Sequence, residues 1–342
     1  MTSTRDLPPL TSNYWGRFWR SQHTKPPPFP KPINLTNQVA IVTGSNTGLG
    51  YEASRLFLNF KLSRLIMAVR SAERGEAAAQ KLRTEFPNAT IDVWSLDMNS
   101  YDSITAFAAR VNNELTRLDI AILNAGYSSQ TFKKSPQGHE EMIQVNYLST
   151  HLLAILLLPA LKLKSPAGTP GRMTIVSSAL ANIAQLPEHK SIPLFAALDD
   201  PKKFGMPTYG VSKLLGHLWL WKLIEGGYVK NDDVVLNLIE PGYLKGTEFS
   251  RKVSGGTKVA LKLFQALVAR TVQDGATTVI DASVVKGKES GCCYLADWEI
   301  RPFPPFLHTK EGQDAADKLW EETMAEYKFA NVQGVLNSVK SG

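Results

Sequence analysis

From Gln38 onward, short apolar runs alternate with helix-period stretches, and this alternation leaves the chain few folds to choose from. QVAIVTG (38–44), RLIMAVR (64–70), IDVWSLD (91–97), DIAILNAG (119–126), RMTIVSS (172–178), VVLNLIEPG (234–242) and GCCYLADW (291–298) read as short buried strands. Residues 48–61, 72–86, 100–115, 137–163 and 208–226 read as helices, and DAADKLWEETMAEYKF (314–329) as a terminal amphipathic helix. A strand that leads into a helix must cross over before it pairs again, so neighbouring strands run parallel. The predicted fold is α/β: a single doubly wound domain with a mostly parallel sheet and helices on both faces. No internal repeat interrupts it. The domain is expected over 38–330, with a separate arm at 1–37 and a tail at 331–342.

The arm carries YWGRFW (14–19) and the Pro-rich PPPFPKP (26–32). On a helix, Trp15, Phe18 and Trp19 would share one face. Such a face suits either a peripheral membrane contact or a short helix packed on the main domain. The second is favoured, because only Arg17 and Arg20 supply a charged face.

Composition narrows the class further. With 342 residues, 43% of them hydrophobic, the chain can bury a large core without staples. Its two cysteines, Cys292 and Cys293, are adjacent and offer neither a disulfide framework nor a spaced metal-ligand pattern, so no metal site is expected. Adjacent cysteines in a strand-like run read as core, and their low number suits a reducing, cytoplasmic setting. The net charge of +7 is not concentrated in any dense basic run, so it does not point to nucleic acid. The N-terminus lacks the apolar segment of a signal peptide. Without such a signal, the glycosylation patterns Asn34-Leu35-Thr36 and Asn88-Ala89-Thr90 carry no weight. The most apolar run, LLAILLLPAL (152–161), is about half the length of a membrane span and contains Pro159, so it reads as a buried helix.

TGSNTGLG (43–50) follows the first strand and opens the first helix. A pyrophosphate needs close backbone approach and the free N–H groups of a helix N-terminus. Gly44, Gly48 and Gly50 permit both, and with Ser45, Asn46 and Leu49 they form a candidate dinucleotide turn of a Rossmann-type domain. The spacing is G-x-x-x-G-x-G rather than G-x-G-x-x-G, and a tight turn without a ligand would read similarly. An acidic residue at the end of the second strand would bind ribose hydroxyls. Here the sequence is Ala68-Val69-Arg70-Ser71, with Arg74 nearby. Arg70 can pair with a 2′-phosphate through its planar fork, so NADP(H) is expected over NAD(H). A solvated strand-end charge is the plainer alternative.

TGSNTGLG, Asp97, Asn124-Ala125-Gly126, Asn146, Ser178, Tyr209-x-x-x-Lys213 and Pro241-Gly242 occur in this order over roughly residues 38–325. The ordered set resembles the short-chain dehydrogenase/reductase family. The resemblance implies that Tyr209 exchanges the proton on the substrate oxygen and that Ser178, rather than Ser177, orients that oxygen. It implies that Lys213 tunes Tyr209 and reaches the nicotinamide ribose, while the Asn146 backbone holds a relay water. It also implies that Asp97 contacts adenine and that Asn124-Ala125-Gly126 lies on the adenosine side. Pro241-Gly242 would close over the nicotinamide. Thr247 lies later than the commonest family spacing for a carboxamide contact. The chemistry is consistent: free phenol has a pKa of about 10, and a cation one helical turn away favours the phenolate. A drop to about 7 would represent roughly 4 kcal/mol.

About thirty residues separate Ser178 from Tyr209, and LFAALDDPKKFGMPTYGVSKL resembles the longer insert of the retinol dehydrogenase-like branch, which typically prefers NADP(H). The arm and DKLWEET resemble filamentous-fungal members, many of which serve secondary metabolism. On the substrate side, KVALKLFQALVAR (258–270) places Leu261, Phe264, Leu267 and Val268 at helical spacing, as a lid or an ordinary packed helix, with Gly255-Gly256 as a candidate hinge. Trp298, Phe303 and Phe306 would wall a pocket or pack. The expected function is NADP(H)-dependent interconversion of a ketone or aldehyde and an alcohol on a lipophilic small molecule. A catalytically inactive cofactor-binding protein of the same fold is the alternative. The helices near 143–163 and from 208 could pair in a homodimer, or be covered by the arm in a monomer.

Overall fold

The computed structural model describes residues 3–10, 13–245, 265 and 267–341. Its strands are β1 (Val39–Thr43), β2 (Arg64–Val69), β3 (Thr90–Ser95), β4 (Ile120–Leu123), β5 (Gly171–Val176), β6 (Val234–Glu240), β7 (Cys293–Ala296) and β8 (Glu299–Arg301). They form one sheet in the order β3-β2-β1-β4-β5-β6-β7-β8. Ile41 of β1 stands opposite Ile66 of β2 and Ala121 of β4, both parallel. Only β8 runs antiparallel, against β7. The strand order reverses between β1 and β4, which is where an open α/β sheet leaves a crevice at the carboxyl ends of its strands.

Every residue of β1 and of β6 is buried. That explains why these strands read as continuous apolar runs: helices cover both faces. Among the described residues, the helices of nine or more residues are α1 (Tyr14–His23), α2 (Gly48–Asn59), α3 (Ala72–Glu85), α4 (Tyr101–Glu114), α5 (Glu141–Lys164), α6 (Pro207–Glu225), α7 (Val272–Ile280), α8 (Lys310–Glu326) and α9 (Val332–Ser341). One face buries α2, α3 and α7 around Phe57, Leu82 and Val279. The other buries α4, α5 and α6, with α8 and α9 outside them. Local chemistry starts several of these helices. Ser71, Ser100, Thr271 and Thr309 each accept an N–H of the first turn of α3, α4, α7 and α8.

Helix α5 is long and apolar enough by composition to cross a membrane, but 89% of its most apolar window is buried inside this fold. Just after its start it carries a π-helical turn over Gln144–Ser149. Within the chain, α4 and α9 pack against α5, and α8 packs against α6.

Two features differ from the sequence reading. The segment expected as a tail at 331–342 contains α9, whose Val332, Leu336 and Val339 are buried against the core. Their helical spacing spans too few residues to stand out in the sequence. Strand β8 was not anticipated: Asp297 and Trp298 turn the chain with φ of 53° and 62°, a two-residue reversal made without the usual Asn-Gly or Asp-Gly. The arm forms α1, which packs on the main domain, with Trp15 and Trp19 71% and 55% exposed.

Candidate active site

The first strand delivers the chain to the crevice at Thr43, and the turn that follows depends on glycine. Gly44 and Gly48 have φ of 64° and 58°. A Cβ on Gly50 would lie 2.5 Å from Asn124 Nδ2 and 2.6 Å from the Gly44 carbonyl oxygen. A Cβ on Gly48 would meet nothing within 4 Å, so the turn is open on that side. Thr47 gives no side-chain cap to α2, which leaves the first N–H groups of the helix available to an anion. The Ser45 hydroxyl is buried and has no hydrogen-bond partner in the protein. Open space, uncapped amides and an orphaned hydroxyl fit a dinucleotide pyrophosphate. Asn46 is half-buried in the same turn.

Neighbouring strand ends brace this turn. Asn124 Nδ2 donates to the carbonyls of Thr43 and Gly44 at 2.9 and 3.3 Å, and Thr43 Oγ1 accepts from the amides of Asn124 and Ala125 at 2.9 Å each. Asn124-Ala125 therefore stitches β4 to β1. Asp97, after β3, accepts the Asn99 amide at 3.0 Å, while its own amide donates to Ser103 Oγ at 2.9 Å. At the end of β2, Arg70 is exposed.

Helix α6 begins at Pro207, where the missing N–H costs nothing, and presents Tyr209 and Lys213 one turn apart. Lys213 Nζ lies 5.8 Å from the Tyr209 ring centroid and donates to the Val176 carbonyl at 2.9 Å. Ser178, just past β5, lies beside the Tyr209 side chain and lines the same cavity. Ser177 faces the other way, 2.9 Å from His217 Nε2 in the core. Asn146 sits in the π turn of α5, accepts from the Tyr127 amide at 2.8 Å, and donates to the Tyr127 carbonyl at 2.8 Å and to Ser212 Oγ at 2.9 Å. A Cβ on Gly126 would lie 3.4 Å from Asn146 Oδ1 and 3.6 Å from Lys213 Nζ, so both side chains converge on that glycine.

Electrostatics corrects one expectation. Burial pushes the Tyr209 phenol up to about 12, with Ser178 acting in the opposite direction. Burial also pulls the Lys213 ammonium down to about 8. Desolvation thus sets the direction, and the protein by itself holds Tyr209 as the neutral phenol.

Ser178 and Tyr209 open into a cavity of about 370 Å³ that Leu49, Pro241 and Gly242 also line. Its remaining wall contains Tyr14, Trp15 and Phe18 of α1. Sequence reasoning did not bring these residues to the site. The helical spacing of YWGRFW was a signal, but nothing local said what it would cover. Trp298 and Phe303 are buried, and Phe306 is partly buried; all three pack rather than line this cavity. Leu267 is exposed and Val268 buried. Thr247, Gly255, Gly256, Leu261 and Phe264 lie outside the described residues.

Relatives and solved structures agree with this architecture. The short chain dehydrogenase family model matches residues 38–187. The chain is 53% identical to the short chain dehydrogenase/reductase mfmJ of Annulohypoxylon moriforme, with 99% of each chain covered. It is 44% identical to the short chain dehydrogenase virL of Hypocrea virens, with 95% of each covered. It shares its fold with an NADPH-bound short chain oxidoreductase from Pseudomonas aeruginosa (TM-score 0.58, 19% identity, 77% of this chain and 96% of that one). It also shares it with the NADPH-dependent 3-quinuclidinone reductase from Rhodotorula rubra (TM-score 0.55, 17% identity, 82% and 93%). The chain belongs to the short-chain dehydrogenase/reductase family, whose members are nicotinamide-dependent oxidoreductases, and the sequence relatives mfmJ and virL come from fungi.

Proposed function

We propose that the chain interconverts a ketone or aldehyde and an alcohol on a lipophilic small molecule with NADP(H), in the cytoplasm and within a fungal secondary-metabolite pathway. One observation carries the reading: Ser178 and Tyr209, backed by Lys213, open together into a largely apolar cavity. The nicotinamide would supply or accept the hydride. Ser178 and Tyr209 would orient the substrate oxygen, and the neutral Tyr209 phenol would donate its proton to that oxygen during reduction. Lys213, charged below about pH 8, would stabilise the phenolate left behind. Asn146, clamped to Tyr127 and Ser212, would hold the backbone of the relay beside Lys213.

The glycine turn, with Leu49, Asp97, Gly126, Pro241 and Gly242, would hold the dinucleotide. Arg70 supports NADP(H) over NAD(H), because it is exposed and makes no ion pair among the described residues, leaving its fork open to a 2′-phosphate. The NADPH named for the two solved relatives supports the same choice. The test is a fluorescence titration with NADPH and NADH on the wild type and Arg70→Glu. Tighter binding of NADPH, reduced roughly 10- to 100-fold by the substitution with NADH little changed, is expected. Preference for NADH would remove the Arg70 assignment. Binding of neither would favour a protein without turnover.

A further inference from the structure

Helix α1 at its C-terminal end, and the chain upstream of it, are anchored by groups that do not face the cavity. At its C-terminal end the buried Gln22 donates to the Tyr243 and Val268 carbonyls at 2.9 and 3.2 Å and accepts from the Tyr243 amide at 3.0 Å. Ser21 Oγ donates to Asp297 at 2.7 Å, and Arg270 bonds both Ser21 and Asp297. A Cβ on Gly242 would lie 2.9 Å from Gln22 Oε1, so this end of the helix is seated directly on the Pro241-Gly242 turn. Upstream, the amide of Tyr294 donates to the fully buried Thr4 hydroxyl at 2.8 Å. Arg5 lies over the Trp221 ring, 4.4 Å from its centroid. The aromatic residues between these anchors are therefore held in place without having to pack into the core themselves.

Those aromatic residues form one cluster. Tyr14 and Phe18 are stacked with centroids 6.1 Å apart, and Trp15 stands edge-on to both at 5.4 and 6.0 Å. The cluster faces the cavity that holds Ser178 and Tyr209. Tyr14 and Phe18 also line a neighbouring cavity of about 180 Å³ in front of Glu240 and Tyr294, so they act as the partition between the two.

We propose that Tyr14, Trp15 and Phe18 form a specificity wall that selects a flat aromatic or conjugated carbonyl substrate, with Phe18 setting the depth of the pocket. A ring offset-stacked or edge-on against this cluster gains aromatic contact that a flexible aliphatic chain of the same carbon count does not. The inference rests on the carbonyl/alcohol reading of the same site.

The test uses the full chain, with 2-acetylnaphthalene and 2-dodecanone as ketones of equal carbon number. Phe18→Ala and Trp15→Ala are the variants, since neither residue belongs to the anchoring contacts. Ketone binding is read from the naphthalene fluorescence, with 2-dodecanone as competitor, and NADPH-dependent turnover is measured alongside. The wild type is expected to favour 2-acetylnaphthalene. Phe18→Ala should weaken that preference about tenfold through KM, leaving kcat and NADPH binding near wild type; Phe18→Tyr should retain it. Unchanged preference in both alanine variants, or no naphthyl ketone binding by the wild type, overturns the wall. Arm-dependent ketone binding without turnover would keep the wall and overturn only the oxidoreductase reading.

Discussion

On the proposed cofactor side of the cleft, the walls come from a short stretch of chain and its sheet neighbours: Thr43 to Gly50, braced by Asn124 across two adjacent strands. On the substrate side they come from Tyr14, Trp15 and Phe18, joined to residues far along the chain. Gln22 bonds Tyr243 across 221 positions, and Thr4 bonds Tyr294 across 290. The first wall is built by backbone geometry and tolerates little change. The second is built by side chains mounted on a docked helix, and can change its shape without touching the sheet. A fold of this kind can keep one cofactor while its substrates vary.

The comparison can be broken at its hinge, Tyr209. Tyr209→Phe should lower kcat by about 10²–10⁴-fold while NADPH and ketone binding stay near wild type; retained turnover in a stopped assay would remove the acid from both walls. Next in size, Gly50→Ala forces a Cβ onto the Gly44 carbonyl and Asn124. It should cost about 1–3 kcal/mol in denaturant unfolding and weaken NADPH more than ketone. Equal loss of both ligands would mean that the two sides are not separable.

A pH profile sharpens the same division. Lys213 loses its proton near pH 8, so kcat/KM for reduction should fall above that value by roughly tenfold per unit at the limit. Lys213→Arg should move the descending limb upward, because the guanidinium stays charged.

The smallest effect concerns the insert between Ser178 and Tyr209. Burial opposes the charge on His139, but Asp199 at 2.8 Å and Glu326 at 3.3 Å hold its pKa up to about 9, tying the insert to α8. The folded chain therefore keeps a proton that the unfolded chain, with an ordinary histidine near 6.5, releases. This stabilisation is complete below about pH 6.5 and is lost as pH rises through about 9. The full shift corresponds to about 3 kcal/mol; because the Glu326 partner is 29% exposed and partly screened by solvent, a loss of about 1–2 kcal/mol across that window is expected in unfolding experiments. Asp199→Asn should flatten the profile; an unchanged slope would show that His139 does not carry it.

Much of this molecule was legible before any coordinates. The strand–helix alternation, the glycine turn after β1 and the Tyr209–Lys213 spacing are decided within a few residues by periodicity, sterics and helix pitch. They determined a parallel, doubly wound sheet and pointed to a nucleotide-binding end. The protonation state of Tyr209 was not legible, because the sequence shows the neighbouring cation but not the burial that raises the phenol. Nor was α9, whose few apolar positions become core only once α5 lies beneath them. The role of YWGRFW was likewise open. An amphipathic aromatic helix has a face that must be covered, but which surface covers it depends on partners more than two hundred positions away. Local physics determined the frame and its cofactor end; only the tertiary structure decided what stands across from Tyr209, because that wall is assembled from contacts no short stretch of sequence contains.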